Sequence, residues 1–333
     1  FVEERFGRNL DLSLANNAML AIRRRIAGVL TADVELEDAL VKAPDRERTR
    51  QVSGFSEEDV YLFPTGMSSI YNTHRIWMAL RGQLRSINYG FPYIDTLKVL
   101  EKFGPGCQFY AFGSSEDLDD LEKRCEHGER FLALFCEFPG NPLLRTPDIK
   151  RIRKLADKHD FAVVIDETIG NFLNVHILPY ADVVVSSLTK IFSGEGNVMG
   201  GAAILNPKGR YYDQLKQTFG AEYENNYWPE DAVFLERNSR DFVSRIERIN
   251  VNAEAICDVL RGHPQIKQVN YPKCSPSRKF YDECRTSNGG YGGLLSATFY
   301  KDEDAIAFYD NLDTAKGPSL GTNFTLRCVS GNI

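Results

Sequence analysis

Lys190 closes the run Ser187-Leu188-Thr189-Lys190, directly after the valine-rich stretch Asp182-Val183-Val184-Val185-Ser186. Asp166 closes another apolar run, Phe161-Ala162-Val163-Val164-Ile165. If the two runs are neighbouring parallel strands, the lysine and the carboxylate share one sheet edge. An amine placed there is poorly solvated and can act as a nucleophile that forms a Schiff base. An acid beside it can keep a pyridine nitrogen protonated. Pyridoxal phosphate (PLP) chemistry needs both groups. The hydroxyls of Ser187 and Thr189 flank the lysine and can bind a phosphate. Gly194, Gly196, Gly200 and Gly201 follow, as expected where backbone runs close to a ligand. A lysine beyond a strand is most often an ordinary surface residue, so this reading depends on the motifs that accompany it.

Three further motifs point the same way. Phe63-Pro64-Thr65-Gly66-Met67-Ser68-Ser69 reads as a strand, a glycine turn and the start of a helix running toward Trp77. Backbone N–H groups and the helix dipole make such a junction an anion site. Gly66 allows close approach, and Ser68 and Ser69 can add hydroxyls. Tyr89-Gly90-Phe91-Pro92-Tyr93 offers an aromatic able to stack on a flat ring. Glu137-Phe138-Pro139-Gly140-Asn141-Pro142 is a stiff loop that holds Asn141 ready to donate to a ring oxygen. Each motif has a bland counterpart in an ordinary turn or in core packing. All fall at the carboxyl ends of predicted strands, where open α/β sheets bind ligands.

The elements that must position these residues alternate. Apolar runs near 59–63, 84–88, 107–111, 130–136, 161–166, 182–187 and 199–205 are predicted strands, with helical patterns between several of them. Thr146 and Pro147 predict an N-cap and first turn for a helix that places Ile149, Ile152, Leu155 and Ala156 on one face. Ser114 and Asp117 form a potential capping box for a helix over 115–127. This alternation predicts an α/β fold with a mostly parallel sheet. The helical stretch from Ala232 to Leu260 is too long to run without a bend. The segments Ile266–Tyr271, Leu294–Tyr300 and 302–312 predict a smaller C-terminal α/β domain.

The bulk properties narrow the function class. The 333 residues are 43% hydrophobic, enough for one large domain or two ordinary ones. Forty basic residues against 46 acidic ones give a net charge of −6, which argues against nucleic acid or an anionic membrane as main partner. No apolar run approaches the roughly 20 residues of a membrane span. No secretory leader is legible. The seven scattered cysteines form no CxxC pair and the five histidines are isolated, so free thiols in a reducing, cytoplasmic setting and no metal site are expected.

The ordered set of Gly66-Met67, Tyr93, the Glu137–Pro142 loop, Asp166 and Ser187–Lys190 resembles the γ-subfamily of fold-type I PLP enzymes. These are the Cys/Met-metabolism enzymes: cystathionine γ-synthase, the cystathionine lyases and the homoserine sulfhydrylases. Asp166-Glu167-Thr168-Ile169-Gly170-Asn171-Phe172, Asn197-Val198-Met199-Gly200-Gly201 and Gly317-Pro318-Ser319-Leu320-Gly321-Thr322-Asn323 are closer still to fungal cystathionine γ-synthase-like proteins.

The resemblance implies a fold-type I transferase. Its large, mostly parallel seven-stranded sheet domain would span 51–235 and bind PLP, and a smaller C-terminal domain would span 236–333. Residues 1–50 would form an arm and helix reaching a neighbouring subunit. Lys190 would carry PLP, Asp166 would pair with the ring nitrogen and Tyr93 would stack on the ring. Gly66, Met67, Thr168, Ser187 and Thr189 would complete the cofactor site, with Asn141 near the ring hydroxyl. Arg8, in Phe6-Gly7-Arg8, matches the arginine of the family's intersubunit Tyr-x-Arg phosphate clamp, with Phe6 in place of the tyrosine. Arg327, with Ser319 and Asn141, would receive the substrate. In Arg327-Cys328-Val329-Ser330-Gly331, Val329 replaces the family's serine. The family's long connection between Ser319-Leu320-Gly321 and this arginine is missing, and a stretch left out of the count is the expected reason.

The implied reaction is γ-replacement on an O-acyl-L-homoserine through a β,γ-unsaturated imine, in a homotetramer built as a dimer of dimers with shared active sites. Alternatives in the same family are carbon–carbon bond formation with a 3-oxo acid nucleophile and a cystathionine lyase. Outside it stand a non-catalytic protein that kept the fold and a dinucleotide-dependent dehydrogenase. The absence of GxGxxG after the first strand disfavours the last of these.

Overall fold

The computed structural model describes residues 12–28, 32–41 and 50–329. Seven strands form the main sheet: β1 (Val60–Phe63), β2 (Ser86–Tyr89), β3 (Cys107–Tyr110), β4 (Ala133–Glu137), β5 (Ala162–Asp166), β6 (Val183–Ser187) and β7 (Gly201–Leu205). Their order is β1-β7-β6-β5-β4-β2-β3. β7 runs antiparallel to both of its neighbours, and the other pairs are parallel. All seven predicted strands are present. They were legible because strands covered on both faces read as continuous apolar runs. Ala162 to Ile165 and Val183 to Val185 are all almost completely buried.

Helices cover both faces. On one lie α3 (Gly66–Arg81), α4 (Ile94–Lys102) and α8 (Tyr212–Glu222). Their residues Ile70, Trp77, Leu100 and Phe219 share a core cluster with Phe135 and Val164. On the other lie α5 (Ser115–Glu126) and α6 (Ile149–His159), with Leu118, Leu121, Ile149 and Ile152 packed near Leu134 and Val163. Ser114 and Asp117 make both bonds of the expected capping box on α5. The start of α6 differs from expectation. Asp148, not Thr146, is the N-cap, and its carboxylate accepts from Arg151 N–H at 3.0 Å. The Thr146 side chain is instead buried.

α1 (Leu12–Ala27) and the short α2 (Leu36–Val41) precede the sheet. Ala18, Ile22 and Ile26 of α1 are buried against this chain's own core, and Arg25 makes a buried ion pair with Glu236 at 2.5 Å. Arg8 and Phe6 lie outside the described residues. α7 (Asn171–Asn174) is a single turn after β5. The long helical stretch after residue 229 bends as expected. It divides into α9 (Pro229–Asn238) and α10 (Phe242–Arg261), broken at Ser239–Asp241. Beyond it, β8 (Ile266–Asn270) and β9 (Ser296–Phe299) form an antiparallel pair. α11 (Arg278–Asp282) and α12 (Asp302–Asn311) accompany them, and the short parallel pair β10 (Ala315–Lys316) and β11 (Leu326–Arg327) follows. In this sequence Gly321 and Arg327 are joined through Thr322–Leu326.

The strand order has a switch point. The chain leaves β2 toward β3 on one side and leaves β4 toward β5 on the other. The loops after β2 and β4 therefore diverge and open a crevice at the carboxyl edge, the usual ligand position in such sheets. Among the described residues no helix is long and apolar enough to cross a membrane.

Candidate active site

The register places Asp166 beside Glu137 on one side and Val185 on the other. Asp166 is held from within its own strand end. Its Oδ1 accepts from Thr168 N–H at 2.9 Å and from the Thr168 hydroxyl at 2.6 Å. The same hydroxyl oxygen accepts from Ser187 N–H at 2.8 Å, which links β5 to β6 at their carboxyl ends. Among the described residues no hydrogen bond reaches Asp166 Oδ2. Burial raises the carboxyl's proton affinity, and the two bonds from Thr168 oppose that rise. Asp166 and Glu137 line a small pocket with Ile70, Asn88, Thr96 and Val185. Asn88 Oδ1 is also buried without a partner.

Lys190 follows β6 in a turn. Its Nζ donates to Ser319 Oγ at 3.0 Å, and partial burial lowers its pKa from the ordinary lysine value. The turn is braced from two sides. Arg245 of α10, itself buried, donates to the carbonyls of Ser193 at 2.7 Å and Phe192 at 3.1 Å. From the C-terminal segment, Asn323 N–H donates to Gly194 O at 2.7 Å. Gly321 has φ +77°, and a Cβ there would stand 2.8 Å from Lys190 Cβ. This close approach brings Ser319 onto the amine.

The N-terminus of α3 abuts the same edge. Thr65 caps it by accepting from Ser68 N–H at 3.0 Å, so the first N–H groups, at Gly66 and Met67, have no partner within the helix. A Cβ on Gly66 would lie 2.7 Å from Ser187 Cβ, and one on Gly201 would lie 2.2 Å from Thr65 O. Ser69 proves unavailable as an anion ligand, because it is buried and its hydroxyl donates to Gly66 O at 2.7 Å. The Ser68 hydroxyl lies 3.0 Å from that of Thr65. The Thr189 hydroxyl accepts from Gly200 N–H at 3.0 Å. Ser187 Oγ makes no hydrogen bond among the described residues.

Tyr93 is the N-cap residue of α4 with its ring half exposed, and its backbone N–H donates to Glu137 Oε1 at 2.5 Å. Asn141 N–H donates to Glu137 Oε2 at 3.2 Å. Glu137 and Arg245 escaped the sequence reading as site residues. A carboxylate closing β4 as Asp166 closes β5 was the visible signal for the first. Nothing local marks Arg245, whose contacts span the chain.

Arg327 sits on β11. Its Nη1 donates to Thr314 O at 2.9 Å and to Thr314 Oγ1 at 2.6 Å, and its guanidinium lies 5.4 Å from the Tyr309 ring centre. No hydrogen bond joins it to Lys190 or Ser319. The structure therefore gathers Lys190, Asp166, Thr168, Ser187, Thr189, Gly66, Met67 and Ser319 around one sheet edge, with Tyr93 and Asn141 across the crevice. Arg327 is engaged separately.

One set of potential metal ligands occurs among the described residues: Glu122, Glu126 and His159, with donor atoms within 4.8 Å of one another. Lys158 Nζ already bonds both carboxylates, at 2.9 and 3.0 Å, and takes the place of a cation.

The donor set suits PLP. One Asp166 oxygen is occupied and the other has no partner among the described residues, the amine is half-buried, and the helix start is packed too closely for any side chain larger than glycine. The architecture and this edge define a fold-type I PLP enzyme. Residues 55–326 match the Cys/Met metabolism PLP-dependent enzymes, and the chain belongs to that family. It is 58% identical to a cystathionine gamma-synthase of Neurospora crassa, over 98% of this chain and 54% of that protein. It is 48% identical to the cystathionine gamma-synthase-like enzyme iboG2 of Amanita muscaria, over 94% of this chain and 55% of that protein. The chain thus spans about half the length of these relatives. The crystal structure of a cystathionine gamma synthase from Xanthomonas oryzae pv. oryzae superposes with a TM-score of 0.68 at 21% identity. That superposition covers 94% of this chain and 86% of the other, and it shows the shared fold.

Proposed function

We propose that this protein catalyses γ-replacement on an O-acyl-L-homoserine, as a cystathionine γ-synthase-like enzyme. The observation that carries the proposal is the Lys190 amine, half-buried and held by Ser319 at the edge where Asp166 keeps one oxygen unpartnered. The 58% identity to a cystathionine gamma-synthase supports the reaction type.

PLP, when bound, supplies an electron sink for an attached amino acid. Lys190 would bear it, and Asp166 Oδ2 would accept a hydrogen bond from the ring nitrogen. Tyr93 would stack on the ring, and Asn141 would donate to its hydroxyl. Gly66 and Met67 N–H groups, with Ser187, Thr189 and Thr168 nearby, would hold the phosphate end.

The chain's own residues then handle protons. Lys190 Nζ, once released, takes the proton from the substrate Cα. Partial burial lowers its pKa from the ordinary lysine value, which favours the neutral amine that a general base requires. Ser319 Oγ keeps that amine in place between transfers. The same base serves Cβ, so that the γ-ester can leave and a nucleophile can add at Cγ. Arg327 would bind the substrate carboxylate as a bidentate partner after exchanging its bonds to Thr314. Cysteine is the nucleophile the reading favours.

The remaining expectations belong to the same reading. The enzyme would act as a homotetramer with shared sites, Arg8 would reach a neighbouring subunit's phosphate, the domains would divide at 50 and 235, and the setting would be cytoplasmic. The test is incubation of the holoenzyme with O-acetyl-L-homoserine and cysteine, sulfide or a 3-oxo acid, with products identified by mass spectrometry. Cystathionine formed by the wild type and absent with Lys190→Ala supports the reading. Absence of any γ-substituted product overturns it.

A further inference from the structure

The crevice between the loops after β2 and β4 is spanned by one side chain. Glu137 is half-buried at the end of β4, directly beside Asp166. Its two oxygens go opposite ways. Oε1 accepts from Tyr93 N–H, at the start of α4 beyond β2, and Oε2 accepts from Asn141 N–H, in the loop after β4. These loops leave the sheet in opposite directions at the switch point, and no strand pairing joins them beyond Tyr89 and Cys136.

A carboxylate in this position is costly. It is partly withdrawn from water and lies next to a second carboxylate, and both effects raise its proton affinity. Two backbone donors oppose them. A residue that served only to fill space would be apolar, as Phe135 is one pleat below.

We propose that Glu137 is a positioning residue of the cofactor site: one carboxylate clamps the backbone amides of Tyr93 and Asn141 and so sets the spacing of the two groups that flank the ring. The inference rests on the PLP reading above and extends it to a residue that need not touch the ring. Glu137 reaches Tyr93 through the backbone N–H, so the clamp fixes the point from which the half-exposed ring projects.

The discriminating variant is Glu137→Gln, with Glu137→Ala as a second. Glutamine keeps the shape and one acceptor oxygen, but it presents an NH2 to one of the two amides and opens the clamp on that side. Two readouts are taken. Hydrogen–deuterium exchange of the apoprotein reports the Tyr93 and Asn141 segments directly. Visible circular dichroism and the PLP dissociation constant report the ring's surroundings.

Both variants are expected to exchange faster at one or both segments, to change the visible dichroism, and to weaken PLP about tenfold, the factor for one hydrogen bond lost. A Glu137→Gln protein with wild-type exchange, dichroism and PLP affinity overturns the clamp. If wild-type protein fails to bind PLP at all, the function proposed above falls, while the exchange measurement still decides whether Glu137 ties the two loops.

Discussion

The Thr168 hydroxyl donates to Asp166 Oδ1 at 2.6 Å while its oxygen accepts from Ser187 N–H at 2.8 Å. One side chain thus joins the carboxylate proposed for the ring nitrogen to the strand end proposed for the phosphate. Thr168→Val keeps the volume and removes both bonds, leaving an amide and a carboxylate oxygen without that partner. The loss is about 1–2 kcal/mol, so PLP affinity should fall roughly tenfold. Equilibrium titration with PLP checks it, and unchanged affinity would show that Thr168 is a bystander.

Gly66 is a steric requirement as well as a flexible one. Alanine there would place a Cβ 2.7 Å from Ser187 Cβ, so α3 must back away from β6. Overpacking of this kind costs about 1–3 kcal/mol. Gly66→Ala should lower the melting temperature of the apoprotein and weaken binding of PLP more than of pyridoxal, because the helix start is the proposed phosphate contact. Equal weakening of both ligands would place the phosphate elsewhere.

Much of this arrangement was legible beforehand, for physical reasons. Lys190, Asp166 and Ser187 stand at the ends of runs such as Val183–Val185, which are apolar because both faces are covered. Their ends mark the sheet edge. The α6 cap was misplaced by two residues, since Thr146 and Asp148 are both capable caps and the burial of Thr146 depends on packing invisible in the sequence. The Arg245 brace and the Glu137 clamp join residues far apart in the chain. No local pattern predicts contacts that only the fold creates.

Ser319 holds the amine proposed above to move protons. Ser319→Ala removes the oxygen that accepts from Lys190 Nζ at 3.0 Å, and with it the amine's fixed direction. Misdirection of a catalytic group acts on the chemical step. The expected result is a fall of about tenfold in kcat with little change in KM. Steady-state kinetics decide. A rise in KM at constant kcat would assign Ser319 to substrate binding alone.

The half-buried carboxylates also carry a pH signature. Glu137 in the fold holds its proton to higher pH than in the unfolded chain, because burial and Asp166 disfavour its charge. Over the window between its unfolded and folded pKa values the native state binds more protons than the unfolded state. The contribution of this group is therefore full at acid pH and is lost as pH rises. His74 and His176, both lowered to about 4 by burial, act in the opposite sense between there and their ordinary value. Comparing apoprotein melting temperatures of wild type and Glu137→Gln removes the histidine contribution. The wild type should lose stability relative to the variant between about pH 5 and pH 8. A constant difference across that range would contradict the assignment.

The account stands on Lys190 as the residue that carries PLP. Borohydride treatment of the purified holoenzyme, followed by proteolysis and mass spectrometry, fixes the cofactor to whichever lysine bears it. The phosphopyridoxyl mass is expected on Lys190, with the label lost from Lys190→Ala protein that still folds. A label on another lysine, or none on a properly folded wild type supplied with PLP, would contradict it.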